Sequence, residues 1–222
     1  MKRNQQGFTL VEIAIVLVII GLLLGGVLKG QEMIIQAKIK NAISDFSGIS
    51  AAYFGYQDRY RATPGDDGGA ARWTGAFPGD NNRVLASTYN IGCPAAVIAT
   101  TEESCKWWDH LRRSGFISGT GGVQPGNPFG GIIGVQTGDG ATPPLAVLPA
   151  TTGFANIILC SSNLPDKVAI ALDVQMDDGV PNTGAMRSTP AGAGNTDVIA
   201  TVVPPAAYAE TGTNFYTLCR QF

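Results

Sequence analysis

The sequence predicts an α+β protein: a long N-terminal helix, its first half transmembrane, packed on an antiparallel β-sheet. Three observations carry that prediction. The run Phe8 to Leu28 holds one charge, Glu12, and that charge sits near its start. Beyond the run, apolar residues recur at three- and four-residue steps as far as Tyr53, the period of an α-helix. Late in the chain, short β-branched or aromatic runs are bounded by turn residues, as strands are.

The first element is set by length and charge. At about 1.5 Å per residue, the 21 residues from Phe8 to Leu28 make a helix of roughly 32 Å, against a hydrocarbon layer of roughly 30 Å. Lys2 and Arg3 precede it, which predicts a single pass with the N-terminus in the cytoplasm. A secretory signal has an apolar region of about 7–15 residues and a small-residue cut site after it. Here the apolar run is longer, and the small residue Gly7 comes first. A plain signal anchor accounts for the length but not for Glu12. A carboxylate costs about 2.5–3.5 kcal/mol near the centre of a span and less towards its ends, so a retained one points to function.

The residues Gly7-Phe8-Thr9-Leu10-Val11-Glu12, followed by an uncharged run from Ile13, closely resemble the class III signal of type IV pilins and type II secretion pseudopilins. The resemblance implies that residues 1–7 are a leader, removed after Gly7 by a prepilin peptidase. It implies that Phe8 becomes the N-terminal residue, with a methylated amine, and that Glu12 pairs with that amine on a neighbouring subunit. It also implies an inner-membrane assembly platform and a helical filament of this chain or of related pilins, periplasmic or extracellular. The pairing makes physical sense, because an ammonium and a carboxylate are each costly in low dielectric and attract strongly there. Such a pair sets the stagger of packed helices more than it adds net stability.

The helix continues past the span. Ile35, Ile39, Ala42, Phe46, Ile49 and Tyr53 form one face, and Ala62-Thr63-Pro64-Gly65 supplies the stop. This predicts a helix over 8–61, 54 residues and roughly 80 Å long, with 8–28 as membrane or filament core. Gly21, Gly25, Gly26 and Gly30 have two readings: close packing between helices, or a segment that extends on assembly, as in resembling filament subunits. Many of those carry a proline in this stretch, and this chain has none.

Residues 62–222 form the predicted extracytoplasmic domain. Over 62–153, abundant Gly, Pro, Asp and Asn predict loops around one short helix, Glu102 to Arg113. Thr101 is its expected cap, and Trp107, Leu111 and Phe116 its anchors. His110, the one histidine, reads as a packed or surface residue beside two tryptophans. Strands are predicted at Phe154–Cys160, Lys167–Asp173, Asp197–Val203 and Phe215–Cys219. Arg59-Tyr60, Pro64-Gly65-Asp66-Asp67 and the stretch Leu172 to Gly184 also look like segments of pilin-like proteins.

Composition narrows the function. There are 15 Lys and Arg against 17 Asp and Glu, a net of −2, which becomes −4 without residues 1–7. No basic patch suggests nucleic acid. Charged residues are 14%, with 29 Gly and 13 Pro, which suits a loop-rich outer domain rather than a charged disordered tail. The four cysteines lie beyond the span, on the predicted oxidising side, and predict two disulfides. Of the three possible connectivities, the favoured one joins Cys93 to Cys105 across a short polar loop and Cys160 to Cys219 between strand-like segments. No Cys-x-x-Cys spacing suggests zinc or a redox centre.

No P-loop, His-Glu-x-x-His or Gly-x-Ser-x-Gly is present, which predicts a structural protein rather than an enzyme. No cofactor is expected. The alternative is calcium, a hard cation that Asp173, Asp177 and Asp178 could surround with oxygens. Their spacing is not that of an EF-hand, and Asp-Asp-Gly is an ordinary turn. The expected function is a structural subunit of a type IV pilus-like filament. The alternatives are a secretion pseudopilin or minor pilin, or a membrane-anchored periplasmic binding module that never polymerises.

Overall fold

The computed structural model describes residues 9–95, 102–138, 154, 156–196, 198 and 205–222. The chain divides into two compact units, Met1–Lys40 and Asn41–Phe222. Helix α1, Leu10–Tyr60, runs through both without a break. Its predicted start at Phe8 lies outside the described residues.

From Leu10 to Ile35 the apolar side chains are uncovered. Leu10 is 87% exposed and Leu22 73%. Positions 21, 25, 26 and 30 are helical, and a Cβ added at any of these glycines would meet nothing within 4 Å. Among the described residues, nothing packs closely on these glycines. The predicted amphipathic face is corrected at one end: Ile35 is 45% exposed, and burial begins a turn later at Ile39.

In the second unit α1 buries Ala42, Phe46, Ile49, Ala52, Tyr53 and Tyr56, a stripe at helical spacing. The Tyr53 ring stacks on Phe222 at 4.5 Å and on Trp107 at 6.4 Å. Gly55 makes room for Phe116, because a Cβ there would come within 2.7 Å of the ring. The helix ends where Arg61 turns left-handed (φ 54°) and its N–H bonds Gln57 C=O at 2.8 Å.

Helix α2, Glu103–Arg113, matches the predicted short helix within a residue. Its expected cap, Thr101, lies outside the described residues, and Glu102 before it makes no side-chain cap bond. Trp107, Trp108 and Leu111 are fully buried.

Among the described residues the sheet has four antiparallel strands: β1 Ile133–Thr137, β2 Ile157–Pro165, β3 Met186–Ala191 and β4 Phe215–Gln221. Their spatial order is β1-β2-β4-β3. Strand β4 contains the predicted run Phe215–Cys219, while β2 shares only Ile157–Cys160 with the predicted Phe154–Cys160 and runs on to Pro165; their register puts Cys160 opposite Cys219. Strands β1 and β3 were not predicted. Gly134 interrupts the apolar pattern of β1, yet a side chain there would collide with the Tyr89 carbonyl. Pro190 weakens β3 as a strand signal, but β3 is an edge strand, where a missing N–H is tolerated.

One predicted strand is overturned. Lys167–Asp173 lies in helix α3, Asp166–Met176. A short apolar run does not distinguish strand from helix. Here Val168, Ala169, Leu172 and Asp173 are buried, one face of a helix. Asp166 locks the start: it accepts from Lys167 N–H at 2.7 Å, Thr211 N–H at 2.7 Å and Gly212 N–H at 2.6 Å. Of the run Asp197–Val203 only Val198 is described. It is buried in a core cluster with Tyr89, Phe154, Ile158, Cys160 and Cys219. The architecture is α+β, with the long helix, from Asn41 onward, packed on a layer built around the antiparallel sheet.

Candidate functional site

The head of α1 is built by two side chains. Thr9 stands one residue before the helix and Glu12 is its third residue. Thr9 N–H donates to Glu12 Oε2 at 2.7 Å, Thr9 Oγ1 donates to the same oxygen at 2.8 Å, and Glu12 N–H donates to Thr9 Oγ1 at 3.3 Å. This is a reciprocal capping box, which satisfies backbone donors that a helix start otherwise leaves open. Both bonds to the Glu12 carboxylate fall on Oε2. Among the described residues, no hydrogen bond falls on the other oxygen, Oε1. Thr9 was not singled out from the sequence, although Thr-x-x-Glu before an apolar run is the signature of such a box. Gly7 and Phe8 lie outside the described residues.

From Leu10 to Leu28 the helix is apolar and exposed on all sides. Among the described residues it is one helix long and apolar enough to cross a membrane.

The four cysteines form two disulfides, Cys93–Cys105 and Cys160–Cys219, with Cα separations of 5.3 Å and 4.0 Å. The second is fully buried between β2 and β4.

Asp173, Asp177 and Asp178 come together at the end of α3, each offering a carboxylate oxygen within 4.8 Å of the others. Asp173 is fully buried, and Tyr208 Oη donates to its Oδ2 at 2.6 Å. Its Oδ1 is buried without a hydrogen-bond partner. Burial pushes the Asp173 carboxyl above its ordinary value, and the two neighbouring carboxylates push the same way. Of the other two carboxylates, Asp177 Oδ2 accepts from Met186 N–H at 2.7 Å, and Asp178 accepts from Val180 N–H at 2.9 Å and Thr183 Oγ1 at 2.5 Å, so a hard cation here would compete with those bonds.

His110 is fully buried on α2. Its Nδ1 accepts from Gly65 N–H at 2.9 Å, and Nε2 lies 2.9 Å from Phe77 C=O. With Nδ1 accepting, the proton sits on Nε2 and the ring is neutral. Burial holds its pKa below the ordinary value, against Phe77 C=O, Asp67 and Asp109. The ring ties two loops to α2 and has no free nitrogen for catalysis. Nearby, buried Asp67 accepts from Tyr56 Oη at 2.6 Å and from Arg72 Nη1 at 2.7 Å. Burial raises the Asp67 carboxyl, but Arg72, Tyr56 and Gly69 N–H together bring it below the usual range.

The distinctive geometry is therefore at the head: a capped, uncovered apolar helix that leads into a disulfide-bonded α+β domain. That is the class of protein the fold defines, pilin-like in its arrangement. Residues 2–28 match the prokaryotic N-terminal methylation motif, the class III prepilin signal of type IV pilins and pseudopilins. No curated protein matches the chain. The motif implies processing by a prepilin peptidase and assembly with other pilins, and with the apolar helix it fits an inner-membrane anchored pilin. It points to a structural subunit and not to an enzyme.

Proposed function

We propose that this chain is the structural subunit of a type IV pilus-like filament, cut after Gly7, methylated at Phe8 and polymerised through α1. Residues 1–7 are then the leader, 8–61 the helix, and 62–222 the outer domain. The chain starts as a single-pass inner-membrane protein with a cytoplasmic N-terminus and ends in a periplasmic or extracellular filament.

The supporting observation is the state of α1. Its apolar half is uncovered, while Glu12 is half-satisfied by its own helix cap. Lipid covers the apolar surface before assembly, and neighbouring helices cover it afterwards. Only an arriving ammonium gives Glu12 Oε1 a charged partner in either setting, and cutting at Gly7 creates one at Phe8. Mass spectrometry of the purified chain should therefore find a methylated Phe8 at the start. Glu12→Ala should leave that cut intact and reduce filament yield in electron micrographs. An intact Met1 in active material, or normal filaments from the variant, would overturn the reading.

A second reading, for a ligand, rests on the orphan oxygen of Asp173. We also propose that Asp173, Asp177 and Asp178 hold a calcium ion. Binding only the folded state raises stability by about 2.7 kcal/mol at a hundredfold excess over Kd. The full chain should then melt higher in calcium than in EDTA, and Asp173→Asn should remove the difference. Equal melting with and without calcium ends this proposal and leaves the filament reading untouched.

A further inference from the structure

A cavity of about 720 Å³ lies in the Asn41–Phe222 unit, lined by the end of α1, the 81–83 loop and Phe222. Ligand pockets run from roughly 300 to 1,000 Å³, with mostly apolar walls. This one has an aromatic platform, two aliphatic side chains, Ala62 and Ile157, and polar side chains that include the Asp66 carboxylate beside the two arginines. Phe54 is 53% exposed and meets Phe222 edge-on, with ring centroids 6.2 Å apart. Gln57 uses its amide nitrogen on Tyr53 Oη at 2.6 Å, which leaves its carbonyl oxygen to accept. Asn81 uses its Oδ1 on Gly68 N–H at 2.9 Å, which leaves its amide nitrogen to donate.

The backbone adds an independent signal. Among the described residues four non-glycines have positive φ, and three of them line this cavity: Arg61 at 54°, Asn81 at 60° and Arg83 at 68°. Asparagine tolerates that region, but arginine there is strained where glycine would not be. Arg61 also ends a helix at a position where glycine is common. Both arginines thus occupy positions that glycine would fill at lower conformational cost. Strain of this kind collects where a side chain is needed for function.

Neither guanidinium has a structural duty that offsets the cost. Arg61 reaches Asp58 at 3.6 Å with both side chains more than 80% exposed, a contact of little worth. The Arg83 guanidinium has no hydrogen-bond or ion-pair partner among the described residues. Its backbone, by contrast, is held firmly. Buried Asp66 accepts from Arg83 N–H at 2.7 Å and from Asn82 N–H at 3.1 Å, so a buried carboxylate fixes the loop that presents an unpaired cation. A solvated surface arginine is the plain alternative, and it gives no reason for two strained arginines on one cavity.

We infer that this cleft binds an acidic saccharide of the uronic-acid type. Arg61 and Arg83 hold its carboxylate, which guanidinium matches in planar, charge-assisted geometry. The C–H face of the sugar ring lies on Phe54, and ring hydroxyls bond the Gln57 oxygen and the Asn81 nitrogen. A flat aromatic acid would leave those amides unmatched. A peptide would bring backbone groups that these side-chain walls do not pair. The inference does not depend on filament assembly and is tested on unassembled chain.

The experiment is calorimetry on the full chain in a detergent without a sugar headgroup, with tri-galacturonate, the neutral galactose trimer and a glutamate-rich peptide as probes. Tri-galacturonate should bind with Kd below about 1 mM. The neutral trimer should bind at least about tenfold more weakly, with the difference shrinking as salt rises. Arg61→Gly and Arg83→Gly should each cost about tenfold or more in affinity while Tm stays level or rises, because the strain is gone. A structural role for these arginines would lower Tm instead. No heat from tri-galacturonate, equal affinity for the neutral trimer, tighter binding of the peptide, or a lowered Tm in both glycine variants would each overturn the proposal.

Discussion

The two units of this chain solve opposite problems. In the first unit the described apolar residues from Leu10 to Ile35 are left bare: Leu10 is 87% exposed and Leu24 60%. In Asn41–Phe222 the polar groups are closed in: Asp66, Asp67, Asp109 and Asp166 are all at most 3% exposed, each with donors supplied. The first unit is stable only in company, because apolar area in water costs roughly 25 cal/mol per Å². The second holds itself together through disulfides, buried ion pairs and an aromatic core. Substitutions should therefore act on stability in the second unit and on association in the first.

The largest effect expected is in the sheet. Replacing Cys160 and Cys219 together by serine removes a buried crosslink and should lower the unfolding free energy of the second unit by about 2–5 kcal/mol, read by chemical denaturation. The helical signal of the first unit in detergent should not move. If it collapses with the sheet, the division into two units fails.

Next is Asp67→Asn, which should cost about 1–3 kcal/mol by leaving Tyr56 and the partly exposed Arg72 without their shared anion. The Asp67 carboxyl sits below its ordinary value in the fold. Its stabilisation is thus present above the unfolded value and is lost as pH falls through the folded one. The variant should show a shallower acid limb below about pH 4.

These features were unequally legible in the sequence. Periodicity gave α1 and α2, because long amphipathic runs with clear stops have few competing readings. The run Lys167–Asp173 misled because seven residues of mixed Val, Ala, Ile and Leu carry no decisive period. The helix is fixed at its start by Pro165-Asp166, and Asp166 does so through bonds from Thr211 and Gly212, far along the chain. Strands β1 and β3 hid behind Gly134 and Pro190, residues that obey tertiary demands rather than local propensity. At the head, the charge of Glu12 is plain in the sequence, whereas the role of Thr9 depends on where the helix starts, which an apolar run does not mark. The Arg61–Arg83 cavity left no trace in the sequence, since left-handed arginines and a loop held by Asp66 are products of the fold.

His110 provides a pH test confined to the second unit. Its folded pKa lies below the ordinary value of 6.5, so the folded state resists the proton that the unfolded chain takes up. Stability should be full above about pH 6.5 and fall as pH drops below it, by at most about 1.4 kcal/mol per pH unit. Asp66 and Glu103 act oppositely. Burial raises both, so their contribution is present at low pH and is lost as pH rises through their folded values. His110→Gln should remove the loss between about pH 6.5 and 5 and leave a flat or reversed slope. An unchanged slope would mean that the Gly65–His110–Phe77 bridge does not control the acid response.

The smallest effect belongs to the first unit and bears most directly on assembly. Thr9→Ala removes the capping box and should cost about 0.5–2 kcal/mol of helix stability at the N-terminus. It leaves the Glu12 charge in place. Glu12→Gln does the reverse: it keeps an acceptor for Thr9 and abolishes the charge. If the carboxylate serves chiefly as a cap, both variants should fray the helix start alike, and filament yield should fall by similar amounts. If it serves an ammonium on a neighbour, Glu12→Gln should lower yield far more than Thr9→Ala while fraying less. Thr9→Ala separates these roles because the carboxylate keeps its charge while Oε2 loses its hydroxyl donor and retains only the backbone N–H of residue 9, so a normal filament yield from it assigns Glu12 to the neighbour and equal losses assign it to its own helix.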